Sequence, residues 1–270
     1  MFWNAKNGCV RMGNTDMYYV SFGKGTDNLI MIPGLGDGLT TVKGMALPMS
    51  MAYRMYANDY KVFIFSRKND LAEGYSTRDM ARDQAEAMKM LGIKSANILG
   101  ISQGGMIAQY LAIDYPDVVE KLVLTVTLSK QNELIQNVVG NWISMAEHSD
   151  YKHLMIDTAE RSYSEKYLKK YRLFYPLLGK MGKPKDFSRF IIQAKSCINH
   201  NAYPELDKIM CPTLVIGGEC DRIVGVNASK EIVERIKVCE EYIYKEFGHA
   251  AYEEAKDFNG RVLEFLSRFV

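Results

Sequence analysis

The chain lacks any run near the roughly 18 to 20 consecutive apolar residues that a membrane-spanning helix needs, which argues against an integral membrane protein. Its opening residues, Met1-Phe2-Trp3-Asn4-Ala5-Lys6-Asn7-Gly8, lack the basic start and long apolar core of a secretory signal, so secretion by that route is not expected. It has only five cysteines (Cys9, Cys197, Cys211, Cys220 and Cys239), an odd, scattered set with no C-x-x-C pair. That pattern reads as reduced thiols, and a cytoplasmic location is expected. Four histidines (His148, His153, His200 and His249) show no H-x-x-x-H or similar spacing, so neither a metal nor a cofactor is expected. An excess of one charge is also missing: 34 Lys and Arg against 32 Asp and Glu leave a formal charge of +2. A duplex nucleic-acid surface needs a concentrated basic face, so no nucleic-acid partner is expected. No repeat period, low-complexity tract or long Gly/Pro linker interrupts the chain.

What remains is a globular pattern of 270 residues, 47% hydrophobic, enough for one sizeable core. Short apolar runs fit buried strands: Leu29 to Ile32, Val62 to Phe65, Ala96 to Leu99 and Leu122 to Val126. Helix-period segments alternate with them. Met80, Ala81, Ala85, Met88 and Leu91 recur near helical spacing behind a Ser76/Asp79 capping box, with Gly92 as the stop. A second helix is expected from Ser102 to about Tyr115, where Pro116 ends it. Between about Leu128 and Tyr203 the strand signal vanishes, and aromatic residues mix with lysines at irregular helical spacing. Strands resume at Pro212 to Ile216 and Glu241 to Tyr244, before a terminal helix carrying Val262, Leu263, Phe265, Leu266 and Phe269. The expected fold class is α/β: a mostly parallel, doubly wound sheet built from residues 1–128 and 206–270, with a helical insertion at 129–205.

The sharpest chemical signal is Gly100-Ile101-Ser102-Gln103-Gly104, placed between a strand and a helix, with Gly105 adding clearance. A serine held on such a sharp turn needs small neighbours on either side. Its hydroxyl is a poor nucleophile alone and requires a base oriented by a carboxylate. His249, in Phe247-Gly248-His249-Ala250, follows the last strand and is the base candidate, because the other three histidines fall in the insertion. The turn Gly217-Gly218-Glu219-Cys220-Asp221 holds two acid candidates, Asp221 and Glu219. An oxyanion needs backbone donors. The loop Ile32-Pro33-Gly34-Leu35-Gly36-Asp37-Gly38 follows the first long buried strand, and the N–H groups of Leu35 and Gln103 are assigned that task. The same loop lacks the third glycine of G-x-G-x-x-G, and no G-K-[ST] follows, which weakens a phosphate-binding reading.

Taken together, the Pro33-Gly34-Leu35-Gly36 loop, the Gly100 to Gly105 elbow running into Met106-Ile107-Ala108-Gln109, the Asp221 turn and Gly248-His249 resemble an α/β-hydrolase with a helical cap, over nearly the whole chain. The resemblance implies Ser102 as nucleophile, His249 as general base and Asp221, rather than Glu219, as orienter. Two features depart from the family: Pro33 stands where a histidine is usual, and Ser66-Arg67-Lys68-Asn69-Asp70 lacks the frequent Asp-x-x-Gly-x-Gly-x-Ser form. The implied activity is hydrolysis of a small carboxylic ester, lactone or thioester through an acyl-enzyme, making a small acyl compound the expected partner. Carbon–carbon hydrolysis, perhydrolysis and a non-catalytic ligand-binding role are the alternatives. In the cap, Trp142, Tyr163, Tyr167 and Tyr171 are the candidates for the substrate pocket, with packing as their more ordinary role. From Asp150 to His200 there are 11 Lys and Arg against 5 Asp and Glu, read foremost as a solvated surface.

Overall fold

Apolar residues on both faces of a strand demand cover on both sides, and that requirement sets the layering. A computed structural model describes residues 3–179 and 182–268. The strands are β1 (Lys6–Met12), β2 (Thr15–Phe22), β3 (Asp27–Ile32), β4 (Tyr60–Lys68), β5 (Ala96–Ile101), β6 (Val119–Thr125), β7 (Thr213–Gly218) and β8 (Cys239–Tyr244). They form one sheet in the order β1-β2-β4-β3-β5-β6-β7-β8. Neighbours from β4 to β8 along that order run parallel, and β2 is antiparallel to both β1 and β4.

The helices are α1 (Ala46–Ala52), α2 (Thr77–Met90), α3 (Gln103–Asp114), α4 (Glu133–Glu147), α5 (Tyr151–Ser162), α6 (Glu165–Tyr171), α7 (Tyr175–Leu178), α8 (Ser188–Ile198), α9 (Ala228–Val233), α10 (Ala251–Glu254) and α11 (Phe258–Ser267). Strand residues alternate between two cores, as period-two side chains must. Ile30, Ile32, Ile98 and Leu122 pack with Met80, Met88, Ile107 and Ile232 of α2, α3 and α9. Leu29, Met31, Leu99 and Val123 pack with Phe258, Val262 and Phe265 of α11. Helices α4 to α8 all lie between β6 and β7, in the stretch read as an insertion. There Ile135, Val138 and Trp142 of α4 and Phe190 of α8 form a third core with Leu35 and Met106.

Local signals explain several boundaries. The Ser76 hydroxyl accepts the Asp79 N–H at 3.1 Å, while the Asp79 carboxylate accepts the Ser76 N–H at 3.0 Å, closing the capping box of α2. The helix ends in a Schellman turn: Gly92 has φ +70°, and Ile93 N–H reaches Met88 C=O at 2.9 Å. Two of the boundaries that move from those expected do so for a backbone reason, and Phe269, expected in the terminal helix, lies outside the described residues. Ser102 precedes α3 rather than opening it, and Val126 lies beyond β6, because both residues have positive φ, +54° and +45°. The β1–β2 hairpin was not anticipated. It turns at Gly13-Asn14, where Gly13 has φ +62°, and its strands, at and next to the sheet edge, carry too many polar residues to read as a buried run.

His200 becomes a core residue. It is buried with Nδ1 2.9 Å from Thr77 Oγ1 and its ring edge-on to Tyr110, and burial lowers its pKa to about 3. The unfolded chain, with an imidazole pKa of about 6.5, therefore takes up a proton first as pH falls. Folding stability should drop below pH ~6.5 by about 1.4 kcal/mol per pH unit, or ~2 kcal/mol by pH 5. Urea midpoints at pH 7 and 5 test this. His200→Gln should lose most of the difference, and an equal acid loss in both proteins would refute the assignment.

Candidate active site

The sheet's parallel strands deliver their loops to one edge, where ligands bind in open α/β sheets. Ser102 follows β5 directly. Its backbone, at φ +54° and ψ −118°, lies in a region that side-chain-bearing residues rarely adopt. Surrounding bonds hold it there: Ser102 N–H donates to Thr125 C=O at 2.9 Å. The Ser102 C=O accepts from the Thr127 hydroxyl at 2.8 Å and from the Gly105 N–H at 2.9 Å. The glycines of the turn are required by contact rather than by flexibility. A Cβ on Gly104 would sit 1.9 Å from Ile32 O, and one on Gly100 would sit 2.6 Å from Gly104 O. Ser102 makes no side-chain cap to α3, so the ordinary N-cap role is not what its hydroxyl does.

That hydroxyl meets His249 instead, with Oγ 2.9 Å from Nε2. His249 Nδ1 lies 2.8 Å from Asp221 Oδ2. The loop carrying the imidazole packs tightly, since a Cβ on Gly248 would meet Cys220 O at 2.9 Å. Asp221 Oδ1 accepts the N–H groups of Ile223 and Val224 at 2.8 and 3.0 Å. Burial raises the Asp221 pKa, but the facing His249 charge and these hydrogen bonds outweigh it, holding the carboxyl below its ordinary value. Glu219, the other acid of the turn, is exposed and takes no part. His148 and His153 lie on the surface, bonded to Ser144 O and Asp150.

Gly34 runs against the serine: a Cβ there would lie 3.3 Å from Ser102 Cβ. Leu35 opens the 3-10 turn Leu35–Gly38 and Gln103 opens α3, so neither N–H has an intrahelical acceptor. A cavity of about 500 Å³ opens over Ser102 and His249. Trp142 and Tyr163 line it. Tyr167 and Tyr171 do not, and instead stack behind Tyr163 with centroids 4.3 and 4.2 Å apart along the ladder. Met45, Met155, Tyr252 and Glu253 also line the cavity and were not singled out in the sequence. The one available signal was that Glu253 lies four residues beyond His249 in the chain.

Beneath the cavity lies a buried charged network that the sequence did not announce. Arg67, at the end of β4, is completely buried and donates from Nη2 to Pro33 C=O at 2.5 Å and to Gln103 Oε1 at 2.8 Å. Asp37 Oδ2 accepts the Arg67 N–H at 3.0 Å and Arg189 Nη2 at 2.5 Å. Gln103 Nε2 continues to Gln193 C=O of α8 at 2.8 Å. Burial lowers the Arg67 pKa to about 10 despite nearby Asp37, leaving the side chain cationic at neutral pH. The Arg67 guanidinium thus ties the loop after β3 to the elbow, and Gln103 carries the link on to α8.

Among the described residues, no group of three or more His, Cys, Asp or Glu is arranged to hold a metal ion, and no helix is long and apolar enough to cross a membrane. A sequence profile of the alpha/beta hydrolase fold matches residues 27–256. The chain is 28% identical over 204 residues to a 2-hydroxy-6-oxononadienedioate/2-hydroxy-6-oxononatrienedioate hydrolase of a Pseudomonas species, covering 71% of each protein. It is 24% identical to a mouse serine hydrolase, over 95% of this chain and 85% of the other. Its fold superposes on the enol-lactonase of Burkholderia xenovorans LB400 with a TM-score of 0.81, at 18% identity and over 97% and 100% of the two chains.

Proposed function

The chain belongs to the alpha/beta hydrolase fold family, and from that premise we propose that it is a serine hydrolase cleaving a small carboxylic ester, lactone or thioester through an acyl-enzyme. Residues 1–128 and 206–270 are the catalytic core in this reading, and 129–205 the cap. Ser102 Oγ attacks the substrate carbonyl as its proton passes to His249 Nε2. Asp221 fixes the imidazole tautomer through Nδ1 and stabilises the imidazolium. The N–H groups of Leu35 and Gln103 receive the oxyanion. Collapse expels the alkoxide or thiolate, which takes the proton from His249. Water then loses a proton to Nε2 and adds to the acyl carbonyl. Return of that proton to Ser102 frees the acid and restores the enzyme.

The observation that carries this reading is the Ser102–His249–Asp221 relay, at 2.9 and 2.8 Å, on a serine held at φ +54°. Intact-protein mass after incubation with a fluorophosphonate tests it: one adduct is expected on the native protein and none on Ser102→Ala. Folded native protein that takes no adduct would overturn it.

A second reading, carbon–carbon bond hydrolysis by the same residues, draws support from relatives named as 2-hydroxy-6-oxononadienedioate hydrolases at 24 to 28% identity. Assay of a vinylogous diketone beside simple esters separates the two, since turnover of the diketone alone would favour this second reading.

A further inference from the structure

Apart from the imidazole of His249, the cavity over Ser102 offers carboxylates and no cationic side chain among its described lining residues. Of the described residues lining it, Asp37 and Glu253 carry acidic side chains, and no Lys or Arg is among them. Asp37 is already compensated, with Arg189 Nη2 2.5 Å and Arg67 Nη1 3.8 Å from its Oδ2. Both guanidiniums are engaged within the protein: Arg67 with Pro33 C=O and Gln103, and Arg189 with the carbonyls of Lys68 and Arg67 at 3.0 Å each. Neither is left to meet a substrate anion. Glu253, on α10, has no salt-bridge partner among the described residues. Its Oε2 accepts the Tyr163 hydroxyl at 2.5 Å. Burial, followed by the Glu253 charge, pushes the Tyr163 phenol far above its usual range, so the phenol stays a neutral donor. Trp142, Tyr163 and Tyr252 add aromatic lining around this single uncompensated charge. A carboxylate beside aromatic rings attracts cations and repels anions.

We infer that the cavity selects esters bearing a positive charge over uncharged ones and rejects those bearing a carboxylate, with Glu253 as the specificity-determining residue. This rests on the hydrolase reading above and names the substrate class of that site. Glu253 takes no part in the bond-making steps. It acts through the field it sets where the non-reacting part of the substrate lies, so its effect is read in the ratio between charged and uncharged substrates. Because Glu253 is exposed to solvent, the discrimination is modest, about 10-fold per unit charge.

The test compares kcat/KM for isosteric esters in two series. One carries the charge on the acyl side: 4-nitrophenyl esters of 4-(trimethylammonio)butyrate, 5,5-dimethylhexanoate and glutarate. The other carries it on the alcohol side: trimethylammonioethyl acetate against 3,3-dimethylbutyl acetate. The cationic member of at least one series should exceed its neutral isostere about 10-fold, and the glutarate half-ester should fall below the neutral acyl ester. Glu253→Gln, which keeps an acceptor for Tyr163, should bring the kcat/KM values of cation and neutral ester within about 2-fold of each other. In the native protein the preference should also shrink as salt is raised. Turnover of the neutral esters with no cation advantage, or an advantage that survives Glu253→Gln, overturns the inference and leaves the hydrolase reading intact. No turnover of any ester, with no fluorophosphonate adduct on Ser102, overturns both.

Discussion

With Ser102 as the proposed nucleophile, replacing it by Ala should lower ester turnover by on the order of 10³- to 10⁶-fold, because nucleophile, base and orienter would act as a unit and leave only binding and the oxyanion donors to supply a residual rate. The unfolding free energy should move by less than about 0.5 kcal/mol, since Ala occupies the same strained backbone and the hydroxyl's loss opens no core cavity. Ser102→Gly sharpens the comparison. Glycine adopts φ +54° without penalty, so that variant should be inactive yet more stable than the native protein by about 1 kcal/mol. Initial rates with 4-nitrophenyl acetate and urea unfolding of the three proteins check both statements. Native-like turnover in Ser102→Ala would end the nucleophile assignment, and a destabilised Ser102→Gly would remove the claim of strain.

Arg67→Met should destabilise the fold by about 3 to 5 kcal/mol, the scale for removing one partner of a buried ion pair and leaving the other charge unpaired. Arg67 is wholly inside the protein, and its loss frees Pro33 C=O and Gln103 Oε1 as well as weakening the compensation of Asp37. Arg189 still faces Asp37 at 2.5 Å, which places the expected loss nearer the lower figure. Combining Arg67→Met with Asp37→Asn should recover part of it, because the carboxylate no longer lies buried with reduced compensation. Urea midpoints for both variants provide the measurement. A change below about 1 kcal/mol in Arg67→Met would show that the network contributes little to the fold.

Some of this architecture was readable because the relevant physics is short-ranged. Ile30 and Ile32 share one face of a strand and Leu29 and Met31 the other, and continuous burial of both leaves an apolar run visible in the chain. The capping box of α2 spans four residues and its Schellman turn six, so Ser76, Asp79 and Gly92 announce a helix without reference to anything distant. The G-x-S-x-G elbow is similarly local, for its glycines answer to atoms within a few residues and to the neighbouring strand. The hairpin before the sheet did carry a signal in Gly13-Asn14, but strands at a sheet edge alternate too many polar residues to stand out.

From its own order of residues, then, the chain determined a strand–helix alternation, a constrained serine between β5 and α3, and a histidine after the last strand. Tertiary structure decided between Asp221 and Glu219, since two carboxylates two residues apart differ only in which one the turn after β7 points at an imidazole 28 residues away. It also decided that Trp142 and Tyr163 face the cavity while Tyr167 and Tyr171 stack behind, and that Arg67 is buried among partners 34 and 36 residues distant. Glu253 beside Tyr163 joins residues 90 apart. Each of these is a choice of direction for a side chain, set by packing between elements far apart in sequence, and no local periodicity records it.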